Sequence, residues 1–155
     1  MADRLAEEVL RQCDQATCNL PVDVEAILTS YGLHLVWAGL SQEVPGLYIP
    51  EGNYIICNRA NDPGRVRFTL AHELYHHLEY LRDPSNKYIR FYTPGRNNER
   101  RANRFAGALL MPKEAVINLH RLGKSPREMA AIFNVSVAAL SVRLDELGIA
   151  RDISV

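Results

Sequence analysis

The sequence predicts an α+β fold: a small antiparallel sheet packed on a helical core, followed by a helix-turn-helix-like segment. Three observations predict this fold. Short alternating apolar segments lie between residues 33 and 57, helical apolar spacing runs through residues 62–122, and two capped helices follow residue 124. We therefore expect one domain over residues 1–123 and a C-terminal segment, residues 124–155, packed on it.

The composition is typical of a globular chain that buries a core, with 47% apolar and 23% charged residues among 155. The longest uncharged apolar stretch, Gly32–Leu40, is far shorter than the roughly 20 residues of a membrane-spanning helix. No basic and then apolar leader follows Met1, so we expect a cytoplasmic protein without a membrane partner.

The net charge is zero, although residues 82–104 hold seven basic and two acidic residues. We interpret that stretch as a solvated face rather than a nucleic-acid site.

The N-terminal third is predicted to form two helices and then the sheet. Asp3–Gln12 has amphipathic spacing, and Pro21–Tyr31 begins at a proline and is followed by a helix-ending glycine. Alternation from Leu33 to Trp37 indicates a first strand. Leu47–Ile49 and Tyr54–Cys57 flank a turn at residues 50–53, which predicts an antiparallel meander.

The middle of the chain is predicted to be helical with one long loop. Asp62-Pro63 is a typical helix start, and apolar spacing carries that helix to about Leu81. Residues 82–98 are polar and read as a loop, with room for a short strand at Tyr88–Phe91. Asn98–Leu110 returns to helical spacing, and residues 113–122 form a further short helix.

His72, Glu73 and His76 form an HExxH pattern within the helix that begins near residue 63. Residues four apart share one helical face, so both imidazoles can reach a single metal ion. Glu73 lies about 100° around the axis, close enough to address a metal-bound water. A bare five-residue pattern also arises by chance, but its position in mid-helix with apolar flanks favours a metal site.

A catalytic zinc site requires a third protein ligand and an open position for water. Glu99 is the best candidate because it begins the next long helix, 23 residues after His76, across a loop that allows the two helices to pack together. From spacing alone, Glu99 is equally well explained as a first-turn carboxylate favoured by the helix dipole. Asn103 follows one turn later on the same face, where it could hydrogen-bond a ligand imidazole.

Three separated blocks of sequence resemble the ImmA/IrrE family of zinc metallopeptidases. They read RFTLAHELYHH at Arg67–His77, ERRANRFA at Glu99–Ala106 and LLMP at Leu109–Pro112, in the family's order. The resemblance extends over roughly residues 20–148. One departure is Tyr75, where the family often has Gly; its direction favours core packing.

The resemblance implies a minimal zincin-like, gluzincin-type peptidase domain over residues 1–123 that holds one zinc ion. His72, His76 and Glu99 would bind the metal, and Glu73 would act as the general base. Family members cleave repressors or other regulators, which implies a protein substrate such as a helix-turn-helix repressor or an antitoxin-like regulator.

Related sites also use a Tyr or His donor to stabilise the oxyanion. Tyr88, Tyr92 and His120 are all candidates for that role, and the sequence does not rank them. His77 is turned about 100° from His76, so we interpret it as supporting the site or exposed rather than as a ligand.

The C-terminal segment has the pattern of a helix-turn-helix. Ser125 to Glu128 matches a capping box, Asn134-Val135 marks a turn, and Ser136 is a second cap before a helix that ends at Gly148. DNA binding is the functional interpretation of such a pattern. The presumptive recognition helix, however, carries one arginine against two acidic residues, which is the wrong sign for phosphate. Nucleic-acid binding is therefore not favoured, and a docking or structural role is preferred.

Together these features predict a zinc-dependent endopeptidase that cleaves a specific regulatory protein by means of a metal-activated water. The alternative is a non-catalytic regulatory binding protein that uses the helix-turn-helix-like segment or a docking surface. An intact HExxH favours the enzyme, because a pure scaffold has no need of Glu73.

Overall fold

The computed structural model describes residues 1–14, 19–85 and 97–150, which form an α+β fold and confirm the predicted class. The helices and strands follow in chain order: α1 (Ala2–Gln12), α2 (Val24–Ser30), β1 (His34–Ala38), β2 (Gly46–Ile49), β3 (Tyr54–Asn58), α3 (Pro63–Arg82), α4 (Asn97–Leu110), α5 (Lys113–Arg121), α6 (Pro126–Phe133) and α7 (Val137–Glu146). None of the described helices is long and apolar enough to cross a membrane.

Local capping chemistry explains where several helices begin. The predicted helix at Pro21 starts only at Val24, because the Asp23 carboxylate accepts a hydrogen bond from the Ala26 amide at 3.0 Å. The predicted capping box at Ser125 and Glu128 is present at the start of α6. The strand predicted at Tyr88–Phe91 lies outside the described residues.

The sheet is mixed, so the predicted antiparallel meander is wrong for one pair of strands. Its order is β1-β3-β2, with β1 parallel and β2 antiparallel to β3. The connection after β1 does not turn back as a hairpin, because Asn58 at the end of β3 holds it. The Asn58 amide donates to the carbonyls of Leu40, Ser41 and Val44 at 3.3, 3.2 and 2.9 Å. These bonds carry the chain past β3 before β2 begins.

The long helix α3 lies between the sheet and α4. One face of the sheet packs on α3 through buried side chains that include Tyr48, Ile55 and Cys57. On its other side, α3 packs against α4, which in turn contacts α1. The middle of α3 is buried all round, since every residue from Thr69 to Leu78 is buried, and this is where the HExxH pattern lies.

The C-terminal helices share a second apolar cluster and are tied to the rest of the chain by two arginines. The cluster combines Met111 at the end of α4 with side chains of α5, α6 and α7. Arg67 on α3 donates to the carbonyls of Val22 at 2.9 Å and Phe133 at 3.4 Å. Arg143 on α7 pairs with Asp3 on α1 at 3.0 Å. The helix pair is therefore docked on the α3/α4 layer.

Candidate metal centre

Two neighbouring helices bring three predicted ligands together. His72 and His76 project from one face of α3, one turn apart, and Glu99 projects from the first turn of α4. The Glu99 carboxylate lies 2.9 Å from Nε2 of His72 through Oε2 and 2.9 Å from Nε2 of His76 through Oε1. The two Nε2 atoms are 3.2 Å apart. All three side chains are buried and form one group able to hold a metal ion.

Asn103 hydrogen-bonds the first of these histidines. Nδ1–H of His72 donates to Oδ1 of Asn103 at 2.8 Å, one turn along α4 from Glu99. A proton on Nδ1 leaves the lone pair of the neutral ring on Nε2, the atom that faces Glu99. When the ring is neutral, this contact fits the tautomer and the orientation that a metal ligand needs.

The donor set fits a zinc ion on both chemistry and spacing. In a tetrahedral site with ligands about 2.0–2.1 Å from zinc, donor atoms lie roughly 3.3 Å apart. The observed separations of 2.9 to 3.2 Å are close to that value. Two imidazoles and one carboxylate are also a recognised catalytic zinc set, which leaves a position for water.

The electrostatics of the cluster also favour a cation. Burial alone would raise the pKa of Glu99, but hydrogen bonds from the protonated imidazoles of His72 and His76 outweigh it and lower the pKa to about 2. Burial would lower the pKa of His72, but the carboxylates of Glu99 and Glu73 raise it overall. A buried carboxylate that stays ionised beside two imidazoles provides the charge that a divalent cation requires.

Glu73 lies next to the cluster without belonging to it. It is buried, and its carboxylate makes no hydrogen bond to any residue that the structure describes. Burial raises its pKa, against the opposing effect of His76 and His72. A carboxylate with free lone pairs and a raised pKa is suited to accept a proton from water.

Gly46 allows β2 to approach Glu73 closely. A Cβ atom at Gly46 would lie 2.5 Å from Cγ2 of Thr69 and 3.6 Å from Cγ of Glu73. Only glycine permits this contact between strand and helix without a shift of the backbone. Sequence reasoning missed Gly46, because its spacing from the HExxH pattern carries no signal of the contact.

The remaining sequence candidates lie apart from the cluster or outside the described residues. His77 is buried and turned toward the sheet, where its Nδ1 lies 2.8 Å from the Tyr48 hydroxyl. Tyr75 is buried in the core with its ring 5.5 Å from that of Phe105. His120 lies on α5 outside the metal-binding group, while Tyr88 and Tyr92 lie outside the described residues.

Comparisons with known proteins agree with this arrangement. No curated protein matches the chain significantly. Among solved structures, a Mycobacterium tuberculosis transcriptional regulator is similar, with a TM-score of 0.68 and 19% sequence identity. The match covers 93% of this chain and 46% of the regulator, so this chain spans about half of that protein's length. At this identity the similarity shows a shared fold.

The sequence profile of the Peptidase_M78 family, described as the IrrE N-terminal-like domain, matches residues 35–145. That range is well over half of the chain and contains the whole His72, His76 and Glu99 group. The match confirms the resemblance drawn from the three sequence blocks. The chain is therefore a member of the Peptidase_M78 family of IrrE N-terminal-like domains.

Proposed function

We propose that this chain is a zinc-dependent endopeptidase that cleaves a specific regulatory protein. The observation that carries the proposal is the buried group of His72, His76 and Glu99, with the unbonded Glu73 carboxylate beside it. The family match supports a metallopeptidase or regulatory role. One zinc ion would be held by the three ligands, with Asn103 orienting His72.

Zinc in this site would supply a Lewis acid for a peptide carbonyl and would lower the pKa of a water molecule toward about 7. The chain's own residues do the rest. Glu73 accepts the proton of the attacking water and delivers it to the leaving amine. Glu73 is 5% exposed, so few bulk water molecules compete for the proton that it carries.

The edge of β2 that pairs with no described strand supplies the surface for an extended substrate. In the described residues β3 is the central strand, so Tyr54–Cys57 is not an edge, whereas Leu47–Ile49 lies on the edge strand β2. Gly46 brings this strand against α3 beside Glu73. Main-chain hydrogen bonds to an exposed strand edge are a common way to hold a peptide.

A regulatory protein is the proposed substrate because the resemblance includes peptidases of repressors. We propose a helix-turn-helix repressor or an antitoxin-like regulator. The similar solved protein carries the name transcriptional regulator, which agrees with a role in regulation. A non-catalytic scaffold has no need of a carboxylate at Glu73, beside the three metal-ligand candidates. The enzyme is therefore the preferred proposal.

DNA binding by the helix pair gains no support from α7. The presumptive recognition helix has Arg143 as its only basic residue, and that side chain is 1% exposed. Its guanidinium donates to the Met111 carbonyl at 3.0 Å and pairs with Asp3. A buried, paired arginine cannot contact a phosphate.

The test compares wild-type protein with Glu73→Gln, which keeps the shape of the side chain but cannot accept a proton. Both are expressed in the same host, and new protein N-termini are identified by terminal labelling and mass spectrometry. We expect one or a few cleavage products with the wild type, a loss of about 10²- to 10⁴-fold in the variant, and equal zinc content. Equal cleavage by both zinc-loaded proteins would contradict the role of Glu73.

A further inference from the structure

An apolar groove of about 690 Å³ follows α4, between the first turns of α3 and the exposed side of α7. We call it the α4 groove; its apolar lining includes Phe68, Gly107, Met111, Val135, Ala139 and Val142. Val142 is 57% exposed there. The face of α7 that a recognition helix would offer to DNA therefore forms a wall of this groove.

The α4 groove and the candidate metal centre have Asn103 in common. Asn103 lines the groove and also accepts the hydrogen bond from His72 at 2.8 Å. Along α4, the lining residues Arg100, Asn103, Gly107 and Met111 are spaced as one helical face. The eleven helical steps from Arg100 to Met111 span roughly 16 Å, so the groove follows α4 for about three turns from the end that carries Glu99.

Gly107 has no packing role within the chain. A Cβ atom added there would meet only Cε of Met111, at an ordinary contact distance of 3.9 Å. Glycine in the interior of a helix is unfavourable relative to alanine, so the fold itself gains nothing from it. The space before Gly107 is the groove, and the missing side chain lets an occupant approach the α4 backbone.

Basic side chains outnumber acidic ones in the lining of the α4 groove, which holds Arg65, Arg100, Arg104 and Arg143 against Asp62 and Glu146. Arg65 and Arg100 line it, and neither forms an ion pair with any residue in ranges 1–14, 19–85 and 97–150. By contrast, Arg104 and Arg143 are both paired with Asp3. An occupant that brings carboxylates to the rim and apolar side chains to the floor would complement the groove.

We propose that the α4 groove binds an acidic amphipathic segment of the protein substrate, next to the segment that enters the metal centre. This inference rests on the proposed endopeptidase function. Aliphatic side chains of the segment occupy the apolar floor, and its carboxylates face Arg65 and Arg100. The groove thus selects a substrate by a region outside the scissile bond.

The first experiment measures peptide binding by fluorescence anisotropy, with the full chain and two labelled peptides of about 11 residues, the helical length of the groove. One peptide carries Leu and Glu at helical spacing, and the other carries Lys in place of Glu. We expect the acidic peptide to bind more tightly than the basic one, with an affinity that falls as salt rises. Equal binding of both peptides, or tighter binding of the basic one, would overturn the proposal.

The second experiment uses a matched pair of substitutions on α7. Val142→Glu places a carboxylate in the α4 groove, whereas Val137→Glu places the same group on an exposed site, 47% accessible, that does not line it. We expect the affinity for the acidic peptide to fall by about tenfold or more in Val142→Glu. In Val137→Glu we expect it to change by less than about twofold. Equal effects of the two would contradict binding in the groove.

Two further variants distinguish an effect on binding in the groove from an effect on the stability of the fold. Gly107→Ala should leave the melting temperature unchanged or raise it, while it weakens binding of the acidic peptide. Arg65→Glu combined with Arg100→Glu should reverse the preference in favour of the basic peptide. Because anisotropy does not require cleavage, binding without proteolysis would contradict the endopeptidase proposal alone. Proteolysis unaffected by Val142→Glu, with no change in peptide binding, would contradict the groove alone.

Discussion

Two buried polar clusters of the described chain differ in how completely their polar atoms are satisfied. On α7 the guanidinium of Arg143 donates to the Met111 carbonyl and pairs with Asp3, whose second oxygen accepts from Arg104 at 2.9 Å. Between α3 and α4 the arrangement is incomplete. Nδ1 of His76 is buried without a partner in the described chain, and Glu73 forms no hydrogen bond there.

The difference separates a cluster that ties helices together from one that could hold a metal ion. Buried charges persist when they are paired and hydrogen-bonded, as in the cluster of Asp3 and Arg143. A cluster in which two imidazoles and a carboxylate converge can be completed by a cation. The two clusters should therefore respond oppositely to metal and to substitution.

The largest expected effect is the loss of metal on removal of the carboxylate ligand. Glu99→Ala should lose nearly all bound zinc, because two histidines alone hold the ion weakly. The measurement is metal content after dialysis, with Glu114→Ala in the first turn of α5 as a control that has the same change on another helix. A fully zinc-loaded Glu99→Ala protein would remove Glu99 from the ligand set.

The next effect is on stability and leaves the metal in place. Asp3→Ala removes a partner of Arg143 and should lower the free energy of unfolding by about 2 to 4 kcal/mol. This loss is smaller than for a fully buried ion pair because Asp3 is 24% exposed and Glu146 remains 3.5 Å from Arg143. Urea denaturation measures it, with the exposed Glu7→Ala on the same helix as control.

Equal stability of the Asp3→Ala and Glu7→Ala proteins would show that the cluster on α7 does not hold α1. A large loss of zinc in Asp3→Ala at full folding would show that the two clusters are coupled.

A smaller effect is expected from the side chain that orients His72. Asn103→Ala should weaken zinc affinity or activity by about 10- to 100-fold, the range for residues that hydrogen-bond a metal ligand. Asn103→Asp keeps an acceptor for Nδ1–H of His72 and should recover most of the affinity. If both variants bind zinc as tightly as the wild type, the hydrogen bond does not tune the site.

The smallest effect is a dependence of stability on acid. Burial would raise the pKa of Asp3, but hydrogen bonds from Arg104 and Arg143 lower it below its ordinary value of 3.8. A carboxyl with a lower pKa when folded stabilises the protein above its unfolded pKa, and that contribution is lost as the pH falls through the folded pKa. In the metal-free protein, the free energy of unfolding should therefore fall less steeply between about pH 5 and 2 in Asp3→Ala than in the wild type.

The helix with the HExxH pattern and the helix caps were predictable because they depend on a few neighbouring residues. The spacing of His72 and His76 places them on one helical face wherever that helix lies, and Ser125 caps α6 through a residue three positions away. For Glu99 the spacing left two interpretations open, and its contacts with both histidines came from the packing of α4 on α3.

The strand order and the buried arginine could not be read from local pattern. Strand β3 lies between β1 and β2 because Asn58 collects carbonyls from 14 to 18 residues upstream. Arg143 entered the sequence analysis only as the single basic residue of the presumptive recognition helix, yet it lies buried against Asp3, 140 residues away along the chain. Periodicity acts over a few residues and predicts which face a side chain occupies. Only tertiary packing decides what meets that face, because contact energy depends on proximity in space and not on separation in sequence.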